Sequence, residues 1–188
     1  MMPPVDVSRS VAVVLDVAAW AVLHAGTGYV AHRLPESFCS RDNVLLRLRA
    51  FERSGRLWRA LRVKRWKDRV PEAGAFYRGG VSKRTIDDFS DGGLRRFAAL
   101  TRRAEMAHWL AMFSALLFAI WNELWVVAIM VVYAVAVNFP FIAIQRYNRL
   151  RVSALLDARA ERRASVSSGS RPEARARSAA ETTGSSIP

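Results

Sequence analysis

Cysteine is nearly absent from this 188-residue chain: Cys39 stands alone. A single thiol allows no intramolecular disulfide and no cysteine-based zinc cluster, so a secreted, disulfide-stapled scaffold is excluded. Histidine is scarce too, with three residues, which gives little support to a polyhistidine metal centre. Acidic residues are few, 16 against 29 Lys and Arg, and the formal net charge is +13. A chain so basic would be expected to be soluble or disordered, yet 52% of it is apolar and its mean hydropathy is +0.06. Long apolar runs do not belong in a soluble basic protein, and a disordered basic chain is not this apolar. The combination fits a small membrane protein with basic loops.

The charge is segregated. Residues 1–32 carry a net −1, residues 33–103 a net +11, residues 104–144 a net −2 with no Lys or Arg, and residues 145–188 a net +5. The first apolar stretch, 21 residues from Val11 to Ala31, is close to the roughly 20 that cross a hydrocarbon core. A signal peptide would want a positive leader, but only Arg9 precedes the stretch, beside Asp6, and Ala31-His32-Arg33 is a poor cleavage site. The stretch therefore reads as a retained transmembrane helix, with Asp16 shallow or paired. The second apolar stretch, Trp109 to Ile144, would reach about 54 Å as one helix, too long for a core of roughly 30 Å. Asn122-Glu123 divides it, and a helical hairpin with that pair at its tip is the simplest reading; a re-entrant first half is the alternative. The whole reads as an all-α integral membrane protein of about three transmembrane helices. Its parts are an N-terminal helix in 1–32, a basic helical region in 33–103, a membrane hairpin in 104–149, and a basic, largely disordered tail in 150–188. The positive-inside rule makes it a multi-pass protein of the cell membrane, with the central region and the C-terminus cytoplasmic.

Residues 43–67 interleave Leu, Phe and Trp with seven arginines and two lysines at roughly helical spacing, broken at Ser54-Gly55. A helix pair against an anionic leaflet and a solvated basic face of a small helical domain both fit. No nucleic-acid-binding signature accompanies the charge, and none is expected as a partner. Residues 71–82 read as loop; Thr85 and Asp88 form a candidate helix start, and a further helix begins near Asp91. Residues 165–188 offer almost nothing to bury and read as disordered.

Three clusters can carry chemistry. Glu105 and His108, three apart, share a helix face, where a carboxylate can orient an imidazole and the imidazole can deprotonate a hydroxyl. Trp109 would anchor that helix at the interface, and an interfacial Glu and His that only solvate a helix end are the plain alternative. In the second cluster, Asn138-Phe139-Pro140 interrupts an apolar helix, and Gln145, Arg146, Tyr147, Asn148 and Arg149 crowd its end. Arginine forks bind phosphates and carboxylates, although aromatic and basic residues also end many membrane helices. The third cluster, Lys64, Arg65, Trp66, Lys67 and Asp68 before Pro71, offers cations for a nucleotide-phosphate donor and one carboxylate able to pair internally.

With these pieces assembled, the chain resembles the glycosyl-4,4'-diaponeurosporenoate acyltransferase family. The matching pieces are Phe51-Glu52 with Gly55; Trp66, Lys67 and Asp68 with Pro71; Arg103 with Glu105, His108 and Trp109; Trp121-Asn122; and Asn138, Pro140, Phe141 and Ile142 with Gln145 to Arg149, over roughly residues 44 to 149. The charge here is almost all arginine, the second apolar piece is rich in Ala and Val, and the tail is long. The resemblance implies acyl transfer from an acyl-CoA to a sugar hydroxyl of a glycosylated carotenoid acid or a related glycolipid. Chemistry assigns His108 as base, oriented by Glu105. Arg146, Arg149 or Asn148 would hold donor phosphates or an oxyanion, and Arg103, Asn138, Gln145, Tyr147, Trp66, Lys67 and Asp68 would complete the binding set. No cofactor and no metal enters beyond the acyl-CoA substrate. The expected partners are membrane lipids and a lipid-linked glycoside. The alternative is a non-catalytic membrane subunit that organises other membrane biosynthetic enzymes.

Overall fold

The computed structural model describes residues 3–70, 86 and 88–183, with side chains as far as Ser167. Among these residues every regular element is helical. The chain divides into two compact units, residues 1–150 and 151–188.

In the first unit, α1 spans Arg9–Arg33 and α2 spans Glu36–Ser40. Three one-turn helices follow, α3 Ala50–Arg53, α4 Arg56–Ala60 and α5 Val63–Trp66. The sequence pattern suggested a helix pair over 43–67 with one break; the structure has two breaks. Gly55 takes φ 68°, where glycine meets no Cβ penalty, and Arg62 takes φ 50°, where a side chain does. These left-handed residues turn the chain sharply before α4 and α5. Helix α6 spans Asp91–Ser114, beginning where the sequence predicts a helix near Asp91. Its N-cap is Ser90, whose Oγ accepts from Gly93 N at 3.0 Å. Thr85, the other candidate start, lies outside the described residues, as does the predicted loop 71–82.

After Ser114 the chain tightens into a 3-10 helix, Ala115–Ile120, turns at Trp121 to Glu123, and enters α7, Leu124–Thr183. The break falls at the Asn122-Glu123 pair that divides the apolar run. The tighter winding matters for reach: from Arg103, about eleven α-helical steps and seven 3-10 steps add up to about 30 Å. Stretch 103–121 runs antiparallel to α1. At one end Arg103 Nη2 donates to Leu34 O at 2.9 Å. At the other, Val5 N donates to Ile120 O at 3.0 Å.

Asp16, the charge within the first apolar stretch, is buried and accepts from Trp121 Nε1 at 2.9 Å and Asn122 Nδ2 at 2.8 Å. It is therefore paired, at the level of the hairpin tip. Trp20 packs on Phe118 and Tyr133 and donates to Met130 Sδ, joining α1 to both arms of the hairpin.

Two helices are long and apolar enough to cross a membrane, α1 and the apolar part of α7. Their outward faces carry Val13, Val14, Val17 and Val22, then Leu124, Trp125, Ile129 and Val132, all exposed. Two such faces suggest association with a membrane.

The second unit is helical through Thr183, and 184–188 lie outside the described residues. The sequence reading expected disorder from residue 165. The four Ala, three Arg and two Glu among residues 165–188 favour helix.

Replacing Asp16 by alanine strands two donors that have given up water. We expect a loss of about 1–3 kcal/mol for each donor left unsatisfied, read as a lower thermal midpoint of the detergent-solubilised protein. Asp16→Asn keeps an acceptor oxygen and falls between alanine and wild type.

Candidate active site

The site assembles where α6 and α7 meet the short helices. Glu105, on α6, is fully buried. One carboxylate oxygen, Oε1, accepts from Arg146 Nε at 2.7 Å and from Trp109 Nε1 at 3.1 Å. The other, Oε2, accepts from Arg149 Nη2 at 2.6 Å. Arg146 reaches further: its Nη1 donates to both oxygens of Glu52, at 3.0 and 2.8 Å, and its Nη2 to Leu45 O. Arg149 Nη2 also donates to Leu46 O at 2.6 Å. Two carboxylates and two guanidiniums thus form one nearly charge-balanced buried cluster. It is fed by α3, α6, α7 and the turn before α3.

Local geometry prepares each contributor. Asn43 Oδ1 accepts from Leu45 N and Leu46 N at 3.1 and 2.8 Å, an Asx-type turn that fixes the backbone whose carbonyls meet the arginines. Glu52 Oε2 also accepts from Arg49 N at 2.6 Å, which ties the carboxylate to the start of α3. Glu52 is the only acid among residues 43–67, and its partner Arg146 lies 94 positions away. A lone carboxylate in a basic stretch was the available signal, but the local arginines were its obvious partners.

Glu105 was expected to orient His108. Its oxygens are instead committed to two guanidiniums and an indole, and His108 Nδ1 stands 3.0 Å from Asn138 Oδ1. Asn138 is buried, and its Nδ2 donates to Ala134 O at 2.9 Å. That bond leaves Oδ1, a pure acceptor, toward the imidazole. A proton on Nδ1 matches that acceptor, and in this tautomer the basic lone pair is on Nε2. Phe141 stacks on the imidazole at 4.6 Å between centroids and 10° between planes. Helix α7 continues through Pro140, so Asn138 and Phe141, three positions apart, both approach His108.

The remaining predicted residues are placed as follows. Gln145 and Asn148 are buried. Gln145 Oε1 and the Nε and Nη1 atoms of Arg149 are buried without a hydrogen-bond partner. Arg103 is held by Leu34 O, at the end of α1. Trp66 donates to Leu61 O at 2.9 Å and packs against the core formed by Trp58, Val63 and Ala143. Lys67 and Asp68 pair with each other, the internal pairing open to that carboxylate. Tyr147 packs against the same core as Trp66. The structure thus joins Glu105, Arg146 and Arg149 in one place and His108 and Asn138 beside it. Trp66 and Tyr147 belong to a neighbouring apolar contact.

Removing one member of a buried ion cluster leaves the others uncompensated. Glu105→Ala is expected to cost about 3–5 kcal/mol, seen as a large drop in thermal midpoint. Arg102→Ala, which breaks the exposed pair with Asp42, should cost no more than about 1 kcal/mol.

Comparison with known proteins gives consistent matches. Residues 42–158 match the family model described as glycosyl-4,4'-diaponeurosporenoate acyltransferase. The glycosyl-4,4'-diaponeurosporenoate acyltransferase of Staphylococcus haemolyticus (strain JCSC1435) is 30% identical over 146 residues, covering 77% of this chain and 85% of that protein. The protein of the same name from Staphylococcus aureus (strain N315) is 25% identical over 138 residues, covering 73% of this chain and 83% of its own. No solved structure gives a significant match.

Proposed function

This chain belongs to the glycosyl-4,4'-diaponeurosporenoate acyltransferase family, and from that premise we propose that it acylates a sugar hydroxyl of a glycosylated carotenoid or related glycolipid, with His108 as general base. That it is an acyltransferase follows from its family. The observation that carries the site assignment is the His108–Asn138 contact, which sets the tautomer a base requires.

In this scheme the Nε2 lone pair of His108 takes the hydroxyl proton as the hydroxyl oxygen attacks the acyl carbonyl carbon. The carbon–sulfur bond of an acyl-CoA thioester then breaks. The sulfur leaves with the electron pair and receives the proton from the imidazolium. Asn138 is the orienting residue and Phe141 fixes the ring plane. The Glu105, Arg146, Arg149 and Glu52 cluster is the frame that holds α6 against α7 at this point. That reading replaces a role for Glu105 at the imidazole and for Arg146 as a free phosphate ligand, because their bonding groups are spent within the cluster. Two buried donors of Arg149 remain unpartnered, so it is the arginine still able to answer a developing oxyanion.

The membrane arrangement we propose has three crossings: α1, the stretch 103–121, and the first part of α7. Three observations support it: the reach of about 30 Å for the middle stretch, its antiparallel bonds to α1, and the apolar faces of α1 and α7. The basic block 33–103 and the C-terminus then lie on the cytoplasmic side by the positive-inside rule. His108 lies about seven residues below the tightened segment, where a lipid-embedded acceptor and a soluble donor can meet. Membrane lipids, the lipid-linked glycoside and acyl-CoA are the partners this implies.

The test is acyl transfer on membranes holding wild type, His108→Ala or Asn138→Leu at matched abundance. Labelled long-chain acyl-CoA serves as donor, a glycosylated carotenoid acid as acceptor, and products are read by mass. His108→Ala should lose about 10²–10⁴-fold in rate, and Asn138→Leu should fall less, with a loss of stability of no more than about 3 kcal/mol. Undiminished product from His108→Ala would remove the histidine from the chemistry.

A further inference from the structure

A second feature of the first unit has no part in the scheme above. Helices α4 and α5 and the left-handed turn between them border a cavity of about 340 Å³, lined by Trp58, Arg59, Arg62, Lys64, Arg65 and Tyr147. Its size is within the range of small-molecule sites. Four of its six lining residues are cationic, and none of the four forms an ion pair with a carboxylate among the described residues. This contrasts with Arg146 and Arg149, whose charges are matched by Glu52 and Glu105.

Holding four like charges around one small cavity is unfavourable by Coulomb repulsion unless an anion enters. The backbone adds its own cost. Arg62 adopts φ 50°, about 1–2 kcal/mol above a right-handed residue. That turn is what lets residues on both sides of it line a common cavity. The arrangement is anchored from beneath: Trp58 and Val63 pack on Ala143, with Leu57, Trp66, Ile144 and Tyr147 around them. Trp58 is 4% exposed, and its Nε1 is buried with no acceptor. A strained, well-anchored cavity lined by four cationic side chains has the chemistry of a phosphate site.

We propose that this cavity binds the phosphorylated nucleotide head of the thioester donor, a CoA-type molecule bearing a diphosphate and a 3′-phosphomonoester. The inference rests on the acyl-transfer reading for the donor's identity. Tyr147 of the cavity and Asn138 at the histidine are on the same helix, nine residues apart, or about 14 Å along its axis. A pantetheine arm is long enough to span that separation. The phosphates would stay in the cationic cavity while the thioester reaches His108.

The experiment is direct binding, without turnover, to the full chain in phosphatidylcholine nanodiscs. CoA, 3′-dephospho-CoA and pantetheine are titrated in turn. Wild type should bind CoA more tightly than 3′-dephospho-CoA, and pantetheine least. Arg59→Glu/Arg65→Glu should weaken CoA binding by roughly tenfold or more, while Arg59→Lys/Arg65→Lys keeps most of it. Arg95→Glu/Arg96→Glu, the same charge change on the exposed side of α6, should bind as wild type does. Equal CoA binding by wild type and Arg59→Glu/Arg65→Glu would overturn the proposal, as would CoA binding no better than pantetheine. A double variant that keeps CoA but loses binding of short-chain phosphatidylglycerol would also overturn it, assigning the cavity to lipid headgroups. Binding is read apart from transfer. CoA bound without acylation of a glycosylated carotenoid leaves the cavity assigned and strikes the acceptor. Acylation without phosphate-dependent CoA binding does the reverse.

Discussion

The carboxylate of Glu105 is the hinge of the architecture. It is fully buried, and it is bound by two guanidiniums and an indole N–H. Through Arg146 the network extends to Glu52, and through both arginines to the carbonyls of Leu45 and Leu46. The three one-turn helices have too few residues to be stable alone. They keep their places because the buried ions, and the Trp58–Val63–Ala143 contact beside them, fasten them to α7. A carboxylate in such a place must be paired, since an isolated charge away from water costs far more than its geometry can return. The pairing therefore dictates where α6, α7 and the basic region meet, and so where His108 is presented.

At the far end of the same helices a second buried carboxylate solves the same problem. Asp16 is met by Trp121 and Asn122 from the hairpin tip. The two carboxylates bracket the apolar part of the first unit. Between them the contacts are aromatic and aliphatic, with Trp20 at their centre. The change from α to 3-10 winding after Ser114 fits this bracket: it lengthens a short segment until Trp121 and Asn122 at its end reach Asp16.

Much of this was legible from residue order. The two apolar runs, the division at Asn122-Glu123, the helix start near Asp91 and the chemistry-bearing residues of α6 and α7 all follow from local composition and spacing. So did the family, because its pieces stand in order along the chain. What local spacing could not supply was the partner of each polar group. Glu105 and His108 do share a helix face, but spacing of three permits a pair without requiring one. The guanidiniums that claim Glu105 are 41 and 44 residues away, and the amide at His108 is 30 away. The positive φ of Arg62 was equally hidden, since only Gly55 announces a left-handed turn by its residue type.

The sequence by itself determined the elements and their character: which segments are apolar enough to face lipid, where they must break, and which residues have acid, base or cationic chemistry. Hydrophobic runs and glycine positions act over a few residues, so they can be read in order. The tertiary structure decided the assignments, giving Glu105 to Arg146 and Arg149, Asn138 to His108, Asp16 to the hairpin tip, and to one cavity four cations that form no ion pair among the described residues. Those outcomes depend on which groups lose water together. Burial makes every polar atom seek a partner, and only the packed helices bring the distant candidates within reach.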